Sequence, residues 1–600
     1  MARSDVVILT VLSTLLMGCP DDGSTTSDTE TSSSTTTTTE PTSGTDGIPT
    51  TSDTGNVPPS ACEEPPAPPV PTPVPNFSDP PDSGESIHLD LADAPCPKTF
   101  AKFVDLVPDT LDARIYRPSM AGMFPPGDFP LLVFTHGNGQ SGNLYSEILE
   151  PLAQSGFIVV SITLDTASTP KGRRPRLLCV AEALLDGNIG WSGSGKLDGR
   201  YAFLGHSTGG LATFAAAATV LDSPEFLAGH HLSAVAAIAP NAIPAADVAE
   251  LTLIGPEAPP YFVLQGTRDG DTSGGAFSSY DRVLAEVFGA HVLSLPRKAL
   301  VWAYRVEHNE YGGHDLMQCP RTPKAIALAN TYFRGFLRAA FFEDPDSLDL
   351  FFQSASPELT PEVSVEEFWT EFGGAPQVYG TSSQQVAPEL GFRAYVIDGF
   401  ENGDKSKSDG GLNVEVSQPD FYDEASANSG GFDNLHIANV GAFQWSDGDS
   451  ISWDLDLDAR TQLAGATSLS FRMGAAVDVV DDSMCVGVAG ALPELTLLVS
   501  DVMEQYSLDL APYGRTSLPE AGQEIECSQG NSDGCRAWDV MQTTFRIPLA
   551  DLCEIDSGVA LSALRKLSLR LNGPGGLLLL DDVTIHSVPG ETPVGCRCPP

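Results

Sequence analysis

Between residues 85 and 345, short uninterrupted apolar runs are separated by longer stretches in which apolar residues recur every three or four positions. The runs 131–135, 157–163, 201–204, 234–239, 261–265 and 299–305 are apolar at nearly every position, the pattern of strands buried on both faces. The stretches 143–155, 175–186, 209–220, 276–288 and 322–340 carry helical spacing. Their alternation predicts an α/β domain over 85–345, with a doubly wound, mostly parallel sheet. Beyond Tyr395 the period changes to two. Segments 450–457, 468–473, 494–500, 543–548, 566–571 and 577–585 alternate and are punctuated by Gly, Asn and Asp, predicting an all-β sandwich over 393–588. The stretch 346–392 holds Pro, Ser and Glu and is expected to be a connector. Residues 589–600 are an unassigned tail.

The first 84 residues read differently. Residues 20–57 are Ser, Thr, Asp and Gly with almost no large apolar side chains, and 58–82 are Pro-rich. Such composition buries too little surface to offset chain entropy, so 20–84 is expected to be a disordered tether. About 60 flexible residues give it a root-mean-square reach of roughly 40 Å. Residues 1–19 look like a targeting segment: Arg3, an apolar run over 6–17 too short to span a bilayer permanently, then Leu16-Met17-Gly18-Cys19. That string resembles a bacterial lipobox, which implies acylation of Cys19, export, and a cell-envelope lipoprotein touching the membrane through its lipid anchor only. An ordinary signal peptide is the alternative.

Charge and cysteine narrow the picture. A formal net charge of −47 argues against nucleic acid and anionic membrane patches, which need clustered Lys and Arg. Eleven Cys are present; with Cys19 acylated, ten remain, an even number that suggests disulfides in an exported chain.

The candidate chemistry sits at the ends of the predicted strands. Gly205-His206-Ser207-Thr208-Gly209-Gly210 follows the run 201–204 and precedes an Ala-rich helix. This is G-x-S-x-G at a strand-to-helix turn, where Gly205 and Gly209 avoid clashes and the Ser207 hydroxyl is lifted clear of the sheet. Phe134-Thr135-His136-Gly137-Asn138-Gly139 follows an earlier strand. Acyl transfer builds negative charge on a carbonyl oxygen, and the backbone N–H groups of Asn138 and Thr208 are the candidate oxyanion hole. His136 reads as a structural loop histidine. Asp269, three residues beyond Gly266, is the candidate acid, with Asp271 as the substitute. His308 follows the last predicted strand directly and is preferred as base to His314, which lies beyond Gly312-Gly313. The adjacent His230 and His231 read as part of a surface loop.

On the motifs HGNG, GHSTGG, GTRD and EHN, residues 130–340 resemble the α/β-hydrolase superfamily, nearest its lipase, chlorophyllase and polyester-hydrolase-like group. The resemblance implies a carboxylic ester hydrolase acting through Ser207, His308 and Asp269 and an acyl-enzyme, with no cofactor for catalysis. Only about twenty residues separate Ala239 from Tyr261, and five of them are Pro, so no large lid is expected and bulky or polymeric esters fit. The C-terminal domain resembles jelly-roll, carbohydrate-binding-type modules at both its ends, which implies a structural Ca²⁺ at Glu401 and Asp581 and a polysaccharide partner. Solvated acids are the plain alternative for that pair. Trp445 and Trp453 read as packing residues. The competing functions are a serine peptidase or acyltransferase on the same fold, and a non-catalytic surface carbohydrate-binding lipoprotein.

Overall fold

The protein is described from a computed structural model. It describes residues 82–90, 110–164, 170–187, 196–223, 226–241, parts of 253–312, 321–347 except 345, 368–373, and stretches between 393 and 587. The expected signal, Cys19 and most of the tether lie outside the described residues.

Nine strands form the first sheet. They are β1 (Asp82–Asp90), β2 (Thr110–Arg117), β3 (Phe129–Thr135), β4 (Ile158–Ile162), β5 (Leu197–His206), β6 (His231–Ile238), β7 (Tyr261–Gly266), β8 (Lys298–Ala303) and β9 (Phe368–Gly373). Their order is β1-β2-β4-β3-β5-β6-β7-β8-β9. From β4 to β8 every neighbouring pair is parallel; β1, β2 and β9 add antiparallel edges. The helices are α1 (Ser146–Gln154), α2 (Pro170–Leu185), α3 (Thr208–Asp222), α4 (Pro323–Leu328) and α5 (Arg334–Phe342), the last two joined by a π-helical turn at Ala329–Phe333.

The uninterrupted apolar runs have a direct structural cause. On β3, Leu131 and Val133 enter one core with Leu178 and Phe214 of α2 and α3. Leu132 and Phe134 enter the opposite core with Leu149 of α1 and Phe336 of α5. Because side chains alternate across a strand, both parities must be apolar when both faces are covered. The mixed sheet with helices on each face fits the α/β-hydrolase architecture.

Two stretches differ from expectation. Val283–Leu284, inside the segment expected to be helical, is extended and pairs in parallel with Leu253–Ile254. A short apolar pair satisfies either period, and the bridge to a distant segment decides it. The supposed connector contributes β9, which pairs with β8 from Lys298↔Gly373 to Ala303↔Phe368. It also lies against Thr543–Pro548 of the C-terminal region.

In the C-terminal region every described strand pair is antiparallel. One sheet contains β10 (Arg393–Val396), β11 (Val414–Ser417), β12 (Val440–Trp445), β14 (Ser468–Ala475), β17 (Thr543–Pro548) and β19 (Gly576–Ser587). The other contains β13 (Ser450–Asp454), β15 (Glu494–Ser500), β16 (Gln505–Asp509) and β18 (Lys566–Asn572). The first strand pairs with the last, Val396 opposite Thr584. Trp445 and Trp453 are buried among Ile451, Phe471, Leu569 and Leu578, as packing residues.

Candidate active site

Ser207 stands between β5 and α3 with φ 57° and ψ −126°. A serine in this region costs about 1–3 kcal/mol, strain that the surroundings must enforce. They do so from both sides. Ser207 N–H donates to Ile238 O at 2.9 Å, and Asn241 N–H donates to Ser207 O at 3.3 Å. The flanking glycines are obligatory. A Cβ on Gly205 would meet the Gly209 carbonyl at 2.5 Å, and one on Gly209 would run into the carbonyls of Thr135 and His136. The Ser207 hydroxyl donates to Asn241 Oδ1 at 3.1 Å.

Asp269 lies just beyond β7 and is buried. Its carboxylate is surrounded by donors. Thr272 N–H reaches Oδ1 at 2.9 Å; Thr272 Oγ1, Gln265 Nε2 and His308 Nδ1 reach Oδ2 at 2.9, 2.8 and 2.8 Å. Burial alone would push the Asp269 pKa up. The facing His308 and the Thr272 hydrogen bonds outweigh it and hold the carboxyl below its ordinary value. Since Asp269 can only accept, Nδ1 of His308 carries the proton of this contact, and Nε2 is the ring's lone-pair nitrogen. His308 opens a short 3₁₀ turn, His308–Glu310, just after β8. Its backbone carbonyl lies 2.9 Å from His206 Nε2. His206 immediately precedes Ser207, so this contact seats the His308 turn against the elbow.

A buried polar cluster stands behind His206. Tyr145 Oη lies 2.6 Å from His206 Nδ1 and beside Gln140 Oε1, and Gln140 Nε2 donates to Asn309 Oδ1 at 3.1 Å. Burial drives the His206 pKa well below its usual value, keeping the ring neutral. The loop after β3 is fastened as well. Leu164 N–H donates to His136 Nε2 at 2.9 Å, and His136 Nδ1 donates to Gly137 O at 2.7 Å. His136 is thus a buried structural histidine, its pKa lowered to about 4 chiefly by burial. Arg173 of α2, also fully buried, donates to the carbonyls of His136 and Gly137.

Asn138 is exposed in the turn that follows, and Thr208 is the first residue of α3. First-turn N–H groups of a helix lack intrahelical partners and can meet an anion. Ser207, Asp269 and His308 therefore sit at the C-terminal ends of β5, β7 and β8, where open α/β sheets place their sites. Asp271, His314 and Glu401 lie outside the described residues. Asp581 is in β19, in register with Arg472 of β14. Among the described residues, no group of three or more His, Cys, Asp or Glu could hold a metal ion. His230 pairs with Asp186 at 3.0 Å on the surface, and the exposed His231 opens β6.

Sequence reading missed Asn241, Thr272, Gln265, Arg173, Gln140 and Tyr145. Two of them carried a signal: Asn241 follows the end of β6, and Thr272 follows Asp269 by three residues, the spacing at which a capping Asp side chain accepts from a backbone N–H.

Among known proteins, residues 111–169 match the family model of platelet-activating factor acetylhydrolase, isoform II. The match covers about a tenth of the chain. It takes in β2, β3, the His136–Gly139 loop, α1 and β4, and stops before Ser207. It supports a hydrolase, at the level of a lipase-like ester hydrolase. No curated protein matches the chain.

Proposed function

We propose that the chain hydrolyses carboxylic esters, with Ser207 as nucleophile, His308 as base and Asp269 orienting and stabilising the imidazole. The observation that carries this reading is the His308 Nδ1 to Asp269 Oδ2 contact of 2.8 Å, on a turn seated against the strained Ser207 elbow. With Nδ1–H committed to Asp269, Nε2 takes the Ser207 proton as Oγ attacks the ester carbonyl. The carbonyl oxygen becomes an oxyanion met by the N–H groups of Asn138 and Thr208. His308 returns the proton to the departing alcohol, leaving an acyl-Ser207. Water, deprotonated by His308, then releases the acid.

The chain is exported and tethered through Cys19 in this reading. Cys179 is disulfide-bonded, which supports an oxidising compartment. No described helix is long and apolar enough to cross a membrane. The β-sandwich is proposed to deliver the hydrolase to a polymeric or polysaccharide surface.

The test is covalent labelling. A fluorophosphonate should label the wild-type chain stoichiometrically and Ser207→Ala not at all; a labelled Ala variant would overturn the assignment. A series of 4-nitrophenyl esters from acetate to long acyl chains then sets the substrate class. The matched family is named for acetyl hydrolysis, so activity is expected to peak at the short end.

A further inference from the structure

The carbonyl oxygen of Gly137 receives donors from behind its loop. His136 Nδ1 is 2.7 Å away, and Arg173 Nη2 is at 3.4 Å while Nη1 of the same guanidinium donates to His136 O. The His136 donor is unambiguous, because Leu164 N–H occupies Nε2 and leaves the proton on Nδ1. Arg173 is 0% exposed, and burial lowers its pKa only to about 10, so a full positive charge sits beneath this loop at neutral pH. Burying a guanidinium is expensive unless its hydrogen bonds are made, so its position is set by strong constraints.

The Gly137 carbonyl and the Asn138 N–H belong to one planar trans peptide and point in opposite directions. Fastening the oxygen from beneath therefore fixes where the N–H aims. A cation bonded to that oxygen also polarises the peptide and strengthens its N–H as a donor. We propose that Arg173 is a positioning residue for ester hydrolysis, acting through the Gly137–Asn138 peptide to aim and polarise the oxyanion-binding N–H of Asn138. The proposal rests on the serine-hydrolase reading above.

A bond that merely ties α2 to the loop would affect folding and leave the chemistry per folded molecule alone. An oxyanion exists only after attack, so a device that serves it moves kcat and spares KM. The experiment compares the full chain with Arg173→Lys and Arg173→Met on 4-nitrophenyl butyrate. Rates are expressed per active site titrated to completion with fluorophosphonate. Inhibition by a trifluoromethyl ketone, which binds as an anionic hemiketal, is measured alongside. Loss of one oxyanion donor costs about 10²–10³ in kcat, so misaiming it should cost roughly tenfold or more in Arg173→Met. The ketone Ki should rise by the same factor with KM little changed, and Arg173→Lys should fall between. Unchanged kcat per site and unchanged Ki would overturn the proposal, whatever the melting temperature does. If Arg173→Met does not fold, Arg173→Lys decides on the same criteria. A wild-type chain that takes no label and hydrolyses no ester would instead overturn the serine-hydrolase reading itself.

Discussion

His308 Nδ1 lies 2.8 Å from Oδ2 of Asp269, and both side chains are buried. The contact fixes the imidazole tautomer, because a carboxylate has no hydrogen to offer. Asp269→Asn presents either a carbonyl or an amide to the same nitrogen. Thr272 Oγ1 and Gln265 Nε2 donate to the same Oδ2 that faces His308, and Thr272 N–H donates to Oδ1, so the amide N–H group meets a donor whichever way it turns. The substitution therefore removes the negative charge that stabilises the imidazolium and unsettles the hydrogen bonds that orient the ring. We expect kcat to fall by about 10³–10⁴ with KM changed little. Steady-state kinetics on a short 4-nitrophenyl ester check this, and a loss below tenfold would remove Asp269 from the triad.

The base assignment has its own control. His308→Ala should cost about as much as Ser207→Ala, since the two act as one unit, whereas His314→Ala should leave most activity. An inactive His314 variant beside an active His308 variant would reverse the assignment.

Much of this was legible in the sequence, for identifiable reasons. The six central strands are buried on both faces, so they had to be continuously apolar, and their ends located the loops bearing Ser207, Asp269 and His308. Gly205 and Gly209 announced the elbow because no side chain fits there. β9 was hidden: Phe368–Gly373 is six residues in a polar stretch, and only its long-range ladder to β8 makes it a strand. The polar support was hidden for the same reason. Gln140 meets Asn309 across 169 positions and Arg173 meets His136 across 37, pairings that follow from the fold and leave no local pattern.

The elbow glycines give a prediction about folding. Gly209→Ala places a methyl group against two backbone carbonyls that cannot retreat without moving β3. Such overpacking costs roughly 1–3 kcal/mol or more. The variant should melt lower than wild type and label slowly even where folded, because the shift is transmitted to Ser207. Wild-type melting and labelling rates would show that the loop is looser than its contacts imply.

Acid stability follows from two buried histidines. The His136 pKa is lowered from 6.5 to about 4, mainly by burial, and that of His206 lies well below 6.5 for the same reason. Below pH 6.5 the unfolded chain binds protons that the folded chain refuses. The stabilisation is therefore complete above pH 6.5 and is lost as pH falls toward 4. For His136 alone it amounts to about 3 kcal/mol. Asp269, held below 3.8, adds its own loss only under more acidic conditions. Denaturant titrations at pH 7.5, 5.5 and 4.5 should show stability falling across this window. His136→Gln, less stable overall, should show a shallower slope. An unchanged slope would mean that the His136 ring is hydrated or protonated in the folded chain.

The last prediction concerns where the hydrolase domain ends. The composition break near residue 345 suggests that a fragment ending at 355 would be complete, but β9 lies beyond it. Such a fragment would leave β8 as a bare edge, with the ladder from Lys298 to Ala303 unpaired on one side. Open strand edges recruit other chains, and this strand also leads into the turn carrying His308. A fragment of residues 80–380 retains β9. It should be monomeric and hydrolyse a soluble ester at close to the full-chain rate, since Ser207, Asp269 and His308 all precede residue 345. The 80–355 fragment should melt lower, aggregate at lower concentration and lose activity as it does so. Light scattering and ester hydrolysis on both fragments decide the matter. Equal melting temperatures and equal specific activities would show that Phe368–Gly373 contributes nothing to the hydrolase sheet in solution. The strand's packing against Thr543–Pro548 would then be its main role, as part of the C-terminal region.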